Sequence, residues 1–122
     1  MMDKGPFDHD IATLVRRYAA AATGHGKATE TGDHRAANRH HDAIAGVYRD
    51  LRARGHEAQT ALLALLNDSD AYVRSWAAAH ALEFAPERGE PVLAALVQRG
   101  GFVGLDAEMT LAEWRQGTLR FP

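Results

Sequence analysis

Apolar residues recur along this chain at three- and four-residue steps, the spacing that gathers side chains on one face of an α-helix. The first stripe is Ile11, Leu14, Val15, Tyr18, Ala19 and Ala22, with Asp8 or Asp10 placed to cap its start. It thins at Thr23-Gly24-His25-Gly26, where each glycine costs a helix about 1 kcal/mol relative to alanine. The helix is expected to run on weakly to Thr31 and stop at Gly32, leaving Asp33 to cap the next one. A second helix, from about His34 to Arg54, should bury Ala37, Ile44, Val47, Tyr48 and Leu51 and end at Gly55.

A third helix is expected over roughly Glu57 to Leu66, where four leucines form a stripe wide enough for contacts on two sides. The loop Asn67-Asp68-Ser69-Asp70 is rich in side chains that accept backbone hydrogen bonds, and it leads into a fourth helix from Ala71 to Phe84. Pro86 and Pro91 bracket the start of a fifth, which runs through Val92, Leu93, Leu96 and Val97 to Gly100-Gly101. A last helix within about Leu105 to Gln116 carries Leu105, Ala107, Leu111 and Trp114, and the capping-box spacing of Thr110 and Glu113 allows a later start. No segment alternates with period two, so no sheet is expected.

The leucine-rich helix recurs: Leu62-Leu63-Ala64-Leu65-Leu66 is echoed about 30 residues later by Val92-Leu93-Ala94-Ala95-Leu96-Val97, each followed by a turn and a second apolar helix. Such a period points to helical hairpins that stack to share one core. The expected fold class is therefore all-α, a HEAT-like α-α superhelix of about six helices in one domain. An N-terminal hairpin would span about 8–54 and two HEAT-like hairpins about 56–117. Asp68, Asp70, Val73, Arg74, Ala77, Ala78 and Leu82 resemble the HEAT-repeat signature, while the second copy has Gly104-Leu105 in place of the Val-Arg pair.

The chain also resembles a bacterial family of small helical domains of unknown function. The resemblance is carried by Gly32-Asp33 with Ala37-Asn38, Val73-Arg74 with Ala77-Ala78, Phe84-Ala85-Pro86, and Met109-Thr110-Leu111 with Trp114 and Gly117. It extends from about residue 10 to the end and implies no particular activity. Related small HEAT-like proteins include immunity proteins that neutralise a toxin, which implies a binding role.

Composition narrows the classes. At 122 residues, 46% hydrophobic and 25% charged, the chain is an ordinary globular protein with enough length for one helical core. No apolar run approaches the roughly 20 residues that span a bilayer, and Met1 to Asp10 lacks the apolar centre of a secretory signal. A cytoplasmic protein that does not engage membranes is expected. The absence of cysteine excludes disulfides, thiolate metal sites and cysteine nucleophiles. Residues 1–61 hold nine Lys/Arg against eight Asp/Glu and residues 62–122 hold five against eight, so no strongly basic face is available for nucleic acid.

Candidate chemistry is sparse. Arg74 sits near the centre of an apolar arc and is expected to pair with Asp68 or Asp70, pinning turn to helix. His34, His40 and His41 lack a recognised zinc spacing and Asp42 points away from the core direction, so they read as partly buried structural histidines rather than metal ligands. Gly24-His25-Gly26-Lys27 fails as a phosphate-binding loop because Ala28 stands where a hydroxyl is needed and Ala21 where the first glycine belongs. A flexible helix segment accounts for its glycines.

Arg35, Asn38, Arg39, Asp42 and Arg49 line one ridge of the second helix, a candidate protein-contact surface because arginine is enriched at interfaces. Glu83, Glu87 and Glu90, with Asp106, Glu108 and Glu113, would attract a basic partner if they share a face. The expected function is a non-catalytic protein-interaction module without cofactor, an immunity protein being its most specific form. The named contact residues are Arg35, Asn38, Arg39, Asp42, Glu87 and Glu90. The alternative is a pocket for a small molecule or a nucleic-acid base, lined by Tyr72, Trp76 or Trp114.

Overall fold

A computed structural model describes residues 9–122, so the candidate cap Asp8 and the stretch before it lie outside the described residues. Asp10 takes the capping role, its carboxylate accepting from the Thr13 amide at 2.7 Å. Helix α1 then runs unbroken over Ile11–Thr31 and ends at Gly32, whose φ of 74° is open to glycine at little cost. After the Gly32-Asp33 turn, Asp33 accepts from the Ala36 amide and α2 folds back along α1 over His34–Arg54. Leu14, Tyr18 and Ala22 face Ile44, Tyr48 and Leu51, all buried.

The third element departs from expectation. α3 is a short α-helix, His56–Thr60, and the chain continues as a tighter 3-10 helix over Ala61–Asn67. At three residues per turn Leu62 and Leu65 fall on one side with Leu66 beside them, and all three are buried. The leucine stripe thus faces mainly one way, leaving Leu63 half-buried. The polar loop then leads into α4, Ala71–Phe84, which packs against α1, the 3-10 segment, α5 and α6.

Helix α5, Pro86–Arg99, places Pro86 in its first turn and holds Pro91 inside. Pro91 is tolerated because it faces solvent, as does Glu87, whose carbonyl loses its helical donor there. Helix α6, Gly101–Gln116, begins four residues before Leu105 and not at Thr110. Gly100 and Gly101, with φ of 80° and 71°, turn the chain so sharply that Phe102 and Val103 already belong to α6, and Val103 is buried. Gly104 allows that approach, since a Cβ there would stand 2.9 Å from the Leu96 carbonyl oxygen on α5.

Six α-helices and one 3-10 segment thus pack together, with no strand among the described residues, and one cluster of buried residues runs from Leu14 to Leu111. No described helix is long and apolar enough to cross a membrane. The main polar feature inside is a cluster of two tyrosines and a histidine joined by hydrogen bonds and ring stacking. Tyr18, fully buried, shares a 2.6 Å hydrogen bond with Nδ1 of His80, and the Tyr48 ring stacks on His80 at 4.1 Å. The Tyr48 hydroxyl donates to Glu83, which also holds Arg52, and receives a bond from Gln59. Burial pushes His80 down to about 3 and raises the phenol of Tyr18, so both are neutral.

Candidate functional site

Helix α4 packs against both α1 and α6. On this helix Ala71, Val73, Ser75, Ala77 and Ala78 are buried, leaving Tyr72 and Trp76, one turn apart, facing outward between α1 and α6. Helix α6 buries Val103, Gly104, Ala107 and Leu111 and turns Phe102, Leu105, Asp106 and Met109 the other way. That outward face is apolar as well. Phe102 is 59% exposed, Leu105 58% and Met109 55%, the three large hydrophobic side chains most open to solvent among the described residues.

Together with His25 and Thr29 of α1 these residues line a pocket of about 170 Å³, with Ser75 buried in its wall. Gly26 sets its geometry: a Cβ there would lie 2.3 Å from the Tyr72 ring, so only glycine lets Tyr72 lie against α1. The glycines of Gly24-His25-Gly26 are therefore contact points within a continuous helix, not a flexible segment. The Tyr72 hydroxyl donates to Glu30 at 2.9 Å, and its burial, with that acceptor, pushes its pKa up to about 12. Trp76 is bracketed edge-on by His25 at 5.2 Å and His41 at 5.6 Å. Burial, followed by the proximity of His41 and His40, lowers the pKa of His25 and favours a neutral ring.

Asp106 is the charged residue on the rim. No hydrogen bond or ion pair engages it among the described residues, and its pKa is raised, first by its apolar surroundings and then by Glu113 two turns along the same face. The depression beside it, about 460 Å³, is reached past Tyr72 and Phe102 and holds Lys27 and Arg99, but also Glu30 and Asp70. A third hollow, about 610 Å³, is a trough between α1 and α2 floored by Ala20, Ala21, Ala43 and Gly46. Volume does not select between them. Of these three, the pocket of α1, α4 and α6 is the one that combines exposed large apolar groups with a single carboxylate among the described residues.

The residues singled out in the sequence are dispersed. Arg35, Asn38, Arg39, Asp42 and Arg49 are all exposed on α2, and the Asp42 carboxylate lies 3.8 Å from the His41 ring. His34 and His41 are exposed and only His40 is half-buried, which corrects the reading of all three as partly buried. The buried histidine is His80, which periodicity alone would have placed with the core of α4. No group of three or more His, Asp or Glu among the described residues is positioned to hold a metal ion.

The acidic set does not form one free surface. Glu83 is bonded to Tyr48 and Arg52, and Glu90 pairs with Arg115 at 3.2 Å, leaving Glu87 exposed on α5. Arg74 is half-buried and binds the backbone carbonyls of Asp68 at 2.8 Å and Ser69 at 3.2 Å, not either carboxylate. Those carboxylates are already engaged: Asp68 accepts from the Asp70 amide, and Asp70 from the Tyr72 amide and the Thr23 hydroxyl. Of the aromatic residues considered for a cleft, Tyr72 and Trp76 line the pocket, and Trp114 packs elsewhere against the core. Phe102, Leu105 and Met109 were not picked out as site residues from the sequence because their helix carries two apolar faces and periodicity does not say which one is covered.

Fold and pocket define a small all-α domain with an open apolar groove at the junction of three helices. The chain belongs to the family described as Domain of unknown function (DUF2019), whose model matches residues 12–114. Among solved structures it is similar to the protein RPA1889 from Rhodopseudomonas palustris CGA009, at 27% identity over the full length of both chains and a TM-score of 0.88. A comparison with curated proteins finds no match.

Proposed function

We propose that this chain is a non-catalytic protein-interaction module and that its recognition surface is the groove between α1, α4 and α6. The observation that carries the reading is the outward placement of Phe102, Leu105 and Met109 opposite Tyr72 and Trp76. Exposed apolar groups clustered beside aromatic ones are a mark of interaction sites, because covering them releases ordered water without unfolding cost. A bound small molecule or nucleic-acid base is the second reading, favoured by the aromatic lining. The pocket's 170 Å³ falls short of the roughly 300–1,000 Å³ typical of ligand cavities. Room for about one large side chain suits an anchor residue from a protein partner better.

The HEAT-like and immunity-protein form of this proposal, and a cytoplasmic setting, rest on the sequence resemblance and composition. Glu83 and Glu90 are engaged by Arg52 and Arg115, so of these three carboxylates Glu87 is the one left open to attract a basic toxin. The test is site-specific photocrosslinking in the source organism from a benzoylphenylalanine at Met109, with exposed Arg88 as the control position. A crosslinked protein at 109, absent at 88 and lost when Trp76 is changed to Ala, supports the reading. No protein adduct at 109, with a metabolite copurifying in stoichiometric amount, favours the ligand pocket.

A further inference from the structure

The chemistry of the groove narrows what its partner presents. Its lining is apolar and aromatic apart from His25, Thr29, Ser75 and Asp106, and Asp106 is its one formal charge. His25 is a neutral ring engaged with Trp76, and Ser75 is buried, so neither competes for the carboxylate as a cation would. Glu113 adds negative charge on the same face of α6. A purely apolar side chain inserted here would cover Asp106 without a partner and incur the desolvation of a charge. A carboxylate inserted here would meet repulsion.

A long basic side chain meets neither obstacle. Lysine and arginine bury their stems along apolar surface while the charged head seeks a counter-ion; Asp106 is exposed at the rim in the free protein, and a partner that covers the groove would shield the pair it forms from water. The neighbouring depression offers no comparable selectivity, since its two cations stand among two carboxylates. We infer that the groove takes an arginine or lysine side chain of the partner protein, the stem lying against Trp76, Phe102 and Met109 and the cationic head on Asp106. This inference rests on the groove being the recognition surface, and it adds the sign of the partner's charge.

The test is selection of a random twelve-residue peptide library on the full-length protein, followed by titration of the enriched peptides. The expected outcome is enrichment of a basic residue next to a large apolar one. Asp106→Asn should then weaken binding by about tenfold or more while leaving the thermal midpoint unchanged or higher, and Lys27→Gln should change binding little. Peptides that lose affinity on Met109→Ala, yet show no basic preference and bind Asp106→Asn as tightly as wild type, overturn the charge assignment and leave the groove standing. Failure of every groove substitution to weaken any enriched peptide, or absence of enrichment, overturns both.

Discussion

Acidification should destabilise this domain through one buried ring, His80. The ring is 4% exposed, stacks on Tyr48 and bonds Tyr18, and burial, followed by the positive field of Arg52 and of His41, lowers its pKa from 6.5 to about 3. Between those values the unfolded chain binds a proton at this position and the folded chain does not. Stability from this group is therefore complete above pH 6.5 and is lost as pH falls toward 3, at up to about 1.4 kcal/mol per pH unit. From pH 7.5 to 4.5 the loss amounts to about 2.5 kcal/mol, a sizeable part of the roughly 5–15 kcal/mol that holds a small domain together. The upward shift of Asp106 acts in the opposite sense, since its folded form holds a proton at higher pH than the unfolded one.

Urea unfolding at half-unit steps across that range, on wild type and on Tyr18→Phe/His80→Phe, isolates the effect. Removing both partners avoids stranding the Tyr18 hydroxyl in the core, which alone would cost about 1–3 kcal/mol. Asp106 and the other titrating groups are common to both proteins and cancel. The wild-type profile should fall more steeply than that of the double variant by the stated 2.5 kcal/mol or so. Parallel profiles, or a His80 ring resonance that titrates near pH 6.5, would refute the assignment.

Other substitutions probe the frame of the groove. Gly26→Ala forces a Cβ to within 2.3 Å of the Tyr72 ring, so chemical denaturation should show a loss of about 1–3 kcal/mol from overpacking, with changed Tyr72 and Trp76 resonances. Arg74→Ala removes two carbonyl contacts but strands no carboxylate, and should cost about 1–2 kcal/mol rather than the 3 or more of a broken buried ion pair. Asp70→Ala removes the α4 cap and the Thr23 contact, and thermal melting should register about 1–2 kcal/mol. Arg39→Ala, on an exposed ridge, should move stability by no more than about 0.5 kcal/mol in the same measurement.

The residue pattern by itself determined the all-α class, the near-complete bounds of α1, α2 and α4, the cap Asp33 and the glycine stop at Gly32, with Asp10 one of two candidates for the first cap; that Asp70 caps α4 came from the structure. These are local properties: helical periodicity, a carboxylate one turn from free amides and a backbone angle open to glycine are all written within a few residues. Tertiary packing decided the rest. The 3-10 winding of Ala61–Asn67 is not written in its leucines, since Leu62, Leu65 and Leu66 would share a face in an α-helix as well. Gly26 reads as a weak point in a helix until Tyr72, 46 positions later, is seen to lie on it. Helix α6 carries two apolar faces of similar strength, and periodicity cannot say which one the neighbouring helices cover. Burial went to Val103, Gly104, Ala107 and Leu111, because Gly104 fits against α5, and that choice left Phe102, Leu105 and Met109 outside with Asp106 to form the groove.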